Sequence, residues 1–414
     1  MRRLLPLLCG LLLAACGQRA ARPIGDFTLP VYTPRYASGF EITGAAGSRS
    51  TLVTVHNPWY GDEVTDQYLF IARDGEPAPA GFEGQVLRDE AQRVVCMSGS
   101  YIAMLDALGA ADRVVGVSGA QYLINETLRR RIARGEAADV GFDSNVDFER
   151  LMALRPDLVM LFGIGGADTA LTGKLRELGI PYLYMGEHCE ESPLGKSEWV
   201  VVAAEIAGLR TEGSRLFAAI PERYERLRAL AQQTAARPRV MLNTPYRDTW
   251  FMPARNSYMV RLLEDAGARY VFEENTATQT LPIDIEQAYY LTSKSDFWLN
   301  VSGCNTLDEV RRQNPGWPTR LPCARGASTT TTAAATRRAA AISGNRAYCV
   351  PTACWRIWCT SSTPNSPKRT NCTITGSWNN AEAAPLRRIR PLLRFSRRRR
   401  PHRSFSANFL TVRK

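Results

Sequence analysis

The stretch RVVCMSGSYIAMLDALGAADRVVGV, residues 93–117, decides the fold. Arg93 to Met97 is a short apolar run and reads as a buried strand. Tyr101 to Leu108 carries apolar side chains at helical spacing and is closed by Gly109, and Arg113 to Val117 is a second apolar run. Strand, short helix and strand in succession make a βα unit, with parallel strands covered on both faces. Working outward, the unit repeats. Asp147 to Leu154 predicts a helix, Asp157 to Phe162 a strand, Thr169 to Leu178 a helix ended by Gly179, and Pro181 to Met185 a strand. A long helical region follows over Ser197 to Ala236. From Glu212 to Gln233 it sets Leu216, Ile220, Tyr224, Leu227 and Leu230 three or four residues apart; Pro221 is expected to interrupt it. The α/β pattern then restarts, with strands at 239–243, 270–272 and 296–301 and helices at 257–266 and 283–291. Upstream, Thr51 to His56 alternates, Tyr68 to Ala72 is a second strand, and Asp74-Gly75 marks a turn. The expected architecture is α/β: two parallel-sheet lobes linked by a long α-helix, with an antiparallel β segment leading them.

Composition places limits on function. Apolar residues make up 45% and charged ones 22%, which is enough to bury a core and excludes a chain disordered throughout. The net charge of +12 suggests nucleic acid, but it is unevenly placed. Residues 323–414 hold 18 Lys and Arg against one acid, Glu382, a balance of +17; residues 1–322, with 34 basic and 39 acidic residues, stand at −5. The body is mildly acidic, and no nucleic-acid partner is expected.

Arg2 and Arg3 followed by apolar Leu4 to Ala15 read as an export signal, too short to span a bilayer. It ends Leu13-Ala14-Ala15-Cys16-Gly17, which resembles a bacterial lipobox and implies a lipid on Cys16. Residues 1–16 are then the signal and lipobox, 17–49 a tether (with 17–25 nearest the membrane), 50–92 the β segment, 93–196 the first lobe, 197–236 the connector and 237–322 a truncated second lobe. The expected location is the cell envelope, on the periplasmic or surface side. Of ten cysteines five lie in the tail, and Cys96, Cys189 and Cys304 form no CxxC, so neither a zinc site nor a disulfide framework is implied. The tail sustains no helical or strand period, yet is rich in Cys and Trp. Back-translation of Ser328 to Thr332 and of Ala340 onward, shifted by one base, yields about forty residues with an amphipathic helix and then a stop. Residues 323–414 are therefore expected to be out of frame, leaving the second lobe poorly covered.

No GxxxxGK[ST], HExxH or GxSxG occurs. Gly163-Ile-Gly-Gly166 lacks dinucleotide spacing and reads as a turn at a cleft edge. His188 with Glu187, Glu190 and Glu191 reads as a solvated acidic loop rather than a metal site. The segments 146–160 and 283–298 look alike, each with an acidic helix start and then an Asp opening a strand.

The runs at 93–117 and NVDFERLMALRPDLV at 145–159, with the long linking helix, resemble the periplasmic solute-binding proteins of ABC importers for iron–siderophore, haem and cobalamin. The resemblance covers about residues 93–310. It implies a ligand held between two lobes, no enzymatic activity, no resident cofactor, and a membrane permease as partner. By position, Glu149 and Glu286 match the glutamates with which the family docks on permease arginines. Open α/β sheets bind ligands beyond their strands' carboxyl ends. That points to Ser98, Ser100, Tyr101 and Tyr122 in the first lobe. In the second it points to Tyr246, Arg247 and Trp250, within a loop dense in aromatic and cationic groups, with Asn300, Ser302 and Asn305 as weaker candidates. The alternative is an exported enzyme on the same frame carrying a metal cluster, which would need Cys or His ligands converging on the cleft.

Overall fold

The computed structural model describes residues 21–59, 65–163, 166, 169–246 and 249–300, with Arg312. Strands β1 (Leu29–Tyr32), β2 (Phe40–Gly44), β3 (Thr51–His56), β4 (Asp66–Ala72) and β5 (Gln85–Arg88) form a sheet in that order, antiparallel except for the parallel β4–β5 pair. One expectation changes here: the stretch expected to be a tether, 17–49, already supplies β1 and β2. The expected antiparallel sheet is present, with β5 added parallel at its edge. The sheet buries both faces. Phe40, Ile42, Val53, Val55, Leu69 and Ile71 belong to the main core, and Leu52 and Phe70 pack with Phe27 on the other side.

The first lobe follows as β6 (Val94–Cys96), α1 (Gly99–Ala107), β7 (Val114–Val117), α2 (Glu126–Ala133), β8 (Ala138–Asp139), α3 (Phe148–Ala153), β9 (Leu158–Phe162), α4 (Ala170–Glu177) and β10 (Tyr182–Met185). All five strands are parallel, in the order β10-β9-β6-β7-β8. Strand periodicity sorts the side chains: Cys96, Met160 and Leu183 face the main core, while Val95, Leu161 and Tyr184 face a second cluster with Leu151 and Leu175. The helix α2 and the short β8 were not foreseen, because Glu126–Ala133 is largely charged and buries only Leu128.

The connector comprises α5 (Pro193–Glu198), α6 (Val200–Ile206) and α7 (Arg210–Gln232). Every residue of α6 is buried, so the connector is part of the first lobe's core. At 1.5 Å per residue, α7 is about 35 Å long. It passes through Pro221 without ending, contrary to the expected interruption; Phe217, Ile220, Pro221 and Tyr224 hold its buried stripe.

The second lobe contains β11 (Arg239–Leu242), β12 (Pro245–Tyr246), β13 (Thr249–Met252), α8 (Tyr258–Asp265), β14 (Arg269–Tyr270), β15 (Leu281–Ile283), α9 (Ile285–Ser293) and β16 (Phe297–Leu299). A parallel sheet β14-β11-β16 lies beside an antiparallel one, β12-β13-β15. In the stretch expected to be a ligand loop, 243–250, Pro245–Tyr246 pairs antiparallel with Thr249–Trp250, and Trp250 feeds a separate hydrophobic core. The expected lipidation at Cys16, the out-of-frame tail 323–414, Ser302 and Asn305 lie outside the described residues. Among the described residues, no helix is long and apolar enough to cross a membrane.

Candidate functional site

The first lobe's strand order reverses at β6, whose neighbours are β7 on one side and β9 on the other. At such a switch point the loops leaving the two adjacent strands diverge and open a crevice. The loop after β6 runs straight into α1. Ser98 caps that helix, its Oγ accepting from Ser100 N at 3.3 Å. The loop after β9 begins at Gly163. A Cβ there would lie 2.8 Å from Pro58 O, so only glycine lets the backbone pass. His188 Nε2 donates to Gly163 O at 2.9 Å, and its ring lies 4.3 Å from that of Phe162. Further along the same edge, beyond β7 and β8, Tyr122 and Phe142 are exposed at 73% and 43%, their rings 6.3 Å apart.

Beneath the edge lie groups that the sequence placed in solvent. Glu187 and Glu190 are buried, at 1% and 5% exposure. Glu190 accepts from Ser38 N, Gly39 N and Trp199 Nε1, and Glu198 accepts from the Arg35, Tyr36 and Ala37 amides and the Tyr32 hydroxyl. These two carboxylates hold residues 35–39 onto the connector, so the acidic loop is a structural staple. Glu187 lies 3.8 Å from both Lys196 Nζ and His188 Nδ1, and its Oε2 makes no hydrogen bond among the described residues. Burial raises its pKa, but Lys196 and His188 outweigh that effect and hold it below the usual carboxylate range. Burial, then the charges of Glu187 and Glu190, push the Cys189 thiol up to about 12. Among the described residues no group of three or more His, Cys, Asp or Glu could hold a metal ion.

Lys196 also sits 4.5 Å over the Tyr258 ring, and Asn256 Nδ2 donates to Glu191 Oε1 at 2.8 Å. The first lobe's carboxyl edge is thus joined to α8 of the second.

Two expected ligand residues are core residues instead. Tyr101 is fully buried, its hydroxyl donating to Leu161 O at 3.0 Å. Trp250 is fully buried too; Nε1 donates to Leu242 O at 2.8 Å, and its ring packs 5.6 Å from Trp298. Each uses its polar atom inside the lobe and has no surface to offer. Ser100 is also buried and faces inward from α1. Ser98 and Tyr122 remain on the edge. Tyr246 forms β12 by its backbone, and Arg247 lies outside the described residues. At the second lobe's carboxyl edge the expected Asn300 is joined by Asn243, both at positive φ, with Asn300 Nδ2 donating to Asn243 Oδ1 at 2.5 Å.

Glu149 and Glu286 are exposed in the first turns of α3 and α9. Asp147 and Asp284 cap these helices, and neither glutamate has an ion-pair partner among the described residues. Phe142 was missed in the sequence because β8, which positions it, is only two residues long.

A family model described as periplasmic binding protein matches residues 94–319, more than half of the chain. The chain belongs to the periplasmic binding protein family. Two uncharacterized lipoproteins of Methanocaldococcus jannaschii are similar. One is 24% identical over 286 residues, covering 64% of this chain and 68% of its own; the other is 22% identical over 269 residues, covering 62% and 67%. Among solved structures, a periplasmic haem-binding protein from Pseudomonas aeruginosa aligns with a TM-score of 0.46 at 20% identity, covering 62% of this chain and 93% of that one. The periplasmic haem-binding protein RhuT from Roseiflexus sp. RS-1 aligns at 0.46 and 18% identity, covering 65% and 99%. The family is one of binding proteins.

Proposed function

We propose that this protein is the substrate-binding lipoprotein of an ABC importer, anchored in the cell envelope through Cys16. In this reading it captures an iron–siderophore, haem or cobalamin-type ligand and delivers it to a membrane permease. One observation carries the reading: in a member of this family, the switch-point edge of the first lobe presents Ser98, the tightly packed Gly163 and two exposed aromatic rings. Rings left in water at a crevice are suited to a bulky, partly apolar chelate. Tyr246 and Arg247 are proposed to face the ligand from the second lobe, with Arg247 pairing an anionic oxygen. Glu149 and Glu286 are proposed to dock on permease arginines. Residues 323–414 are proposed to be out of frame; resequencing across the codons near Pro322 tests this, and an unbroken frame overturns it.

The test is titration of the protein lacking its lipid, by absorbance and tryptophan fluorescence, with ferric siderophores, haem and cobalamin. One class should saturate. Tyr122→Ala and Phe142→Ala should each weaken it about tenfold, in line with about 0.5–1.5 kcal/mol per aromatic contact plus buried area. The reading fails if no class saturates.

A further inference from the structure

A cavity of about 540 Å³ lies along the β14 side of the second lobe, lined by Arg228, Arg237, Arg255, Arg261 and Arg269. Arg237 precedes β11 and Arg269 opens β14, at the amino ends of these parallel strands where α7 and α8 also end, while Arg255, donating to Glu273 O at 2.8 Å, closes the cavity from beyond β13 and β14. Its size falls within the range of small-ligand pockets, about 300–1,000 Å³. Three carboxylates, Glu264, Asp265 and Glu273, share the lining. Two of them have partners. Asp265 accepts from Arg228 at 3.0 Å and from the Tyr224 hydroxyl at 2.7 Å, and Glu264 lies 3.5 Å from Arg255.

That leaves Arg237, Arg261 and Arg269, none of which has an ion-pair partner among the described residues; Arg237 donates to the neutral Gln232 Oε1. Two helix carboxyl ends contribute about −0.5 each. Gln232 already donates to the carbonyls of Glu264 and Asp265 at the end of α8. A positive surplus therefore remains, inside a body whose overall balance is negative. Guanidinium groups stay charged at every physiological pH, and their planar forks match the oxygens of phosphoryl groups.

We propose that this cavity binds an anion carrying phosphoryl groups, independently of the importer ligand. The anion is either a soluble phosphate compound or the headgroup of an anionic phospholipid. The experiment uses the full chain and compares it with Arg261→Gln/Arg269→Gln, which alters two exposed side chains outside any ion pair. An Arg397→Gln/Arg398→Gln variant controls for the basic tail. Calorimetric titration with inorganic pyrophosphate should give saturable binding, weakened at least about tenfold in the cavity variant and unchanged in the tail variant. Flotation with phosphatidylcholine vesicles, with and without phosphatidylglycerol, separates the sources. Variant-sensitive flotation on the anionic vesicles assigns the site to lipid; pyrophosphate binding without it assigns the site to a soluble phosphate. The proposal is overturned if neither probe binds saturably, or if binding survives in the cavity variant and is lost in the tail variant.

Discussion

The two lobes open their strands in the same way and end them differently. In the first, Asp147 caps α3 and Asp157 opens β9, its carboxylate accepting from the Gln92 and Arg93 amides at 2.8 Å. In the second, Asp284 caps α9 and Asp296 opens β16, accepting from the Arg239 amide at 2.8 Å. Each aspartate also returns its own N–H to the carbonyl of that same arginine at 2.8 Å. The carboxyl edges share nothing comparable. One exposes Tyr122 and Phe142; the other ends in two hydrogen-bonded asparagines beside the buried Trp250 and the half-buried Trp298. A repeated frame fixes where the edges lie, and the loops on it choose what they recognise.

The largest expected effect falls where the first lobe, the connector and the leading sheet meet. Glu205 is fully buried between Arg73, at 2.9 Å, and Arg210, and it accepts from the Thr51 hydroxyl at 2.7 Å. Glu205→Ala strands the buried Arg73 and is expected to remove about 3–5 kcal/mol, read from the urea midpoint. The second lobe has its own core, so a destabilisation confined to the tryptophan signal of Trp250 and Trp298 would invert the comparison. Burial pushes the Glu205 pKa up, but Arg210, Arg73 and Thr51 together carry it below the usual carboxylate range. With an unfolded value of about 4.3, its contribution is complete above that pH and is lost as pH falls through the folded value. The stability gap between the wild type and Glu205→Gln should therefore hold above the unfolded value and shrink as the pH falls below it. A constant gap would show that the ion cluster is not the source.

The strand-opening aspartates give the next effect. Asp157 satisfies two main-chain N–H groups and Asp296 one. Asp157→Ala should cost about 1–2 kcal/mol and Asp296→Ala about half as much, since each orphaned but partly solvated donor resembles a lost cap. Equal or reversed losses in thermal melts would mean that the two lobes do not share this device.

Much of the frame was legible in the sequence because short apolar runs, Asp caps and closing glycines are local signals. Asp147, Thr169 and Ser257 each mark a helix start that the structure confirms, and the helix expected from Ile283 is capped one residue later by Asp284. The edges were less legible. Tyr101 and Trp250 fall where a ligand residue is expected, yet burial and a carbonyl partner in each lobe were decided by tertiary packing. Glu187 and Glu190 read as solvent-facing because charge is normally exposed. Their partners, Lys196, Trp199 and the 38–39 amides, come from the connector and from a segment some 150 residues upstream. Pro221 failed as a helix breaker because a single missing N–H is tolerated within a helix held by Phe217, Ile220 and Tyr224.

The smallest effect on stability, and the sharpest on the proposed role, belongs to Glu149 and Glu286. Both are exposed in a first turn where the helix dipole favours an acid, worth about 0.3–1 kcal/mol at most, and both follow an aspartate that does the capping. Glu149→Ala and Glu286→Ala should each shift stability by no more than about 0.5 kcal/mol, against about 1 kcal/mol for Asp147→Ala. Ligand titration should be unchanged in both, because neither side chain is part of the aromatic edge. Uptake into vesicles carrying the permease should fall in both variants, and fall further in the double variant. Two outcomes separate the possible failures. If Glu149→Ala destabilises as much as Asp147→Ala, the glutamate belongs to the fold and is not free to dock. If only one of the pair impairs uptake, the equivalence of the two lobes stops at the strand openings, and a single lobe meets the membrane partner.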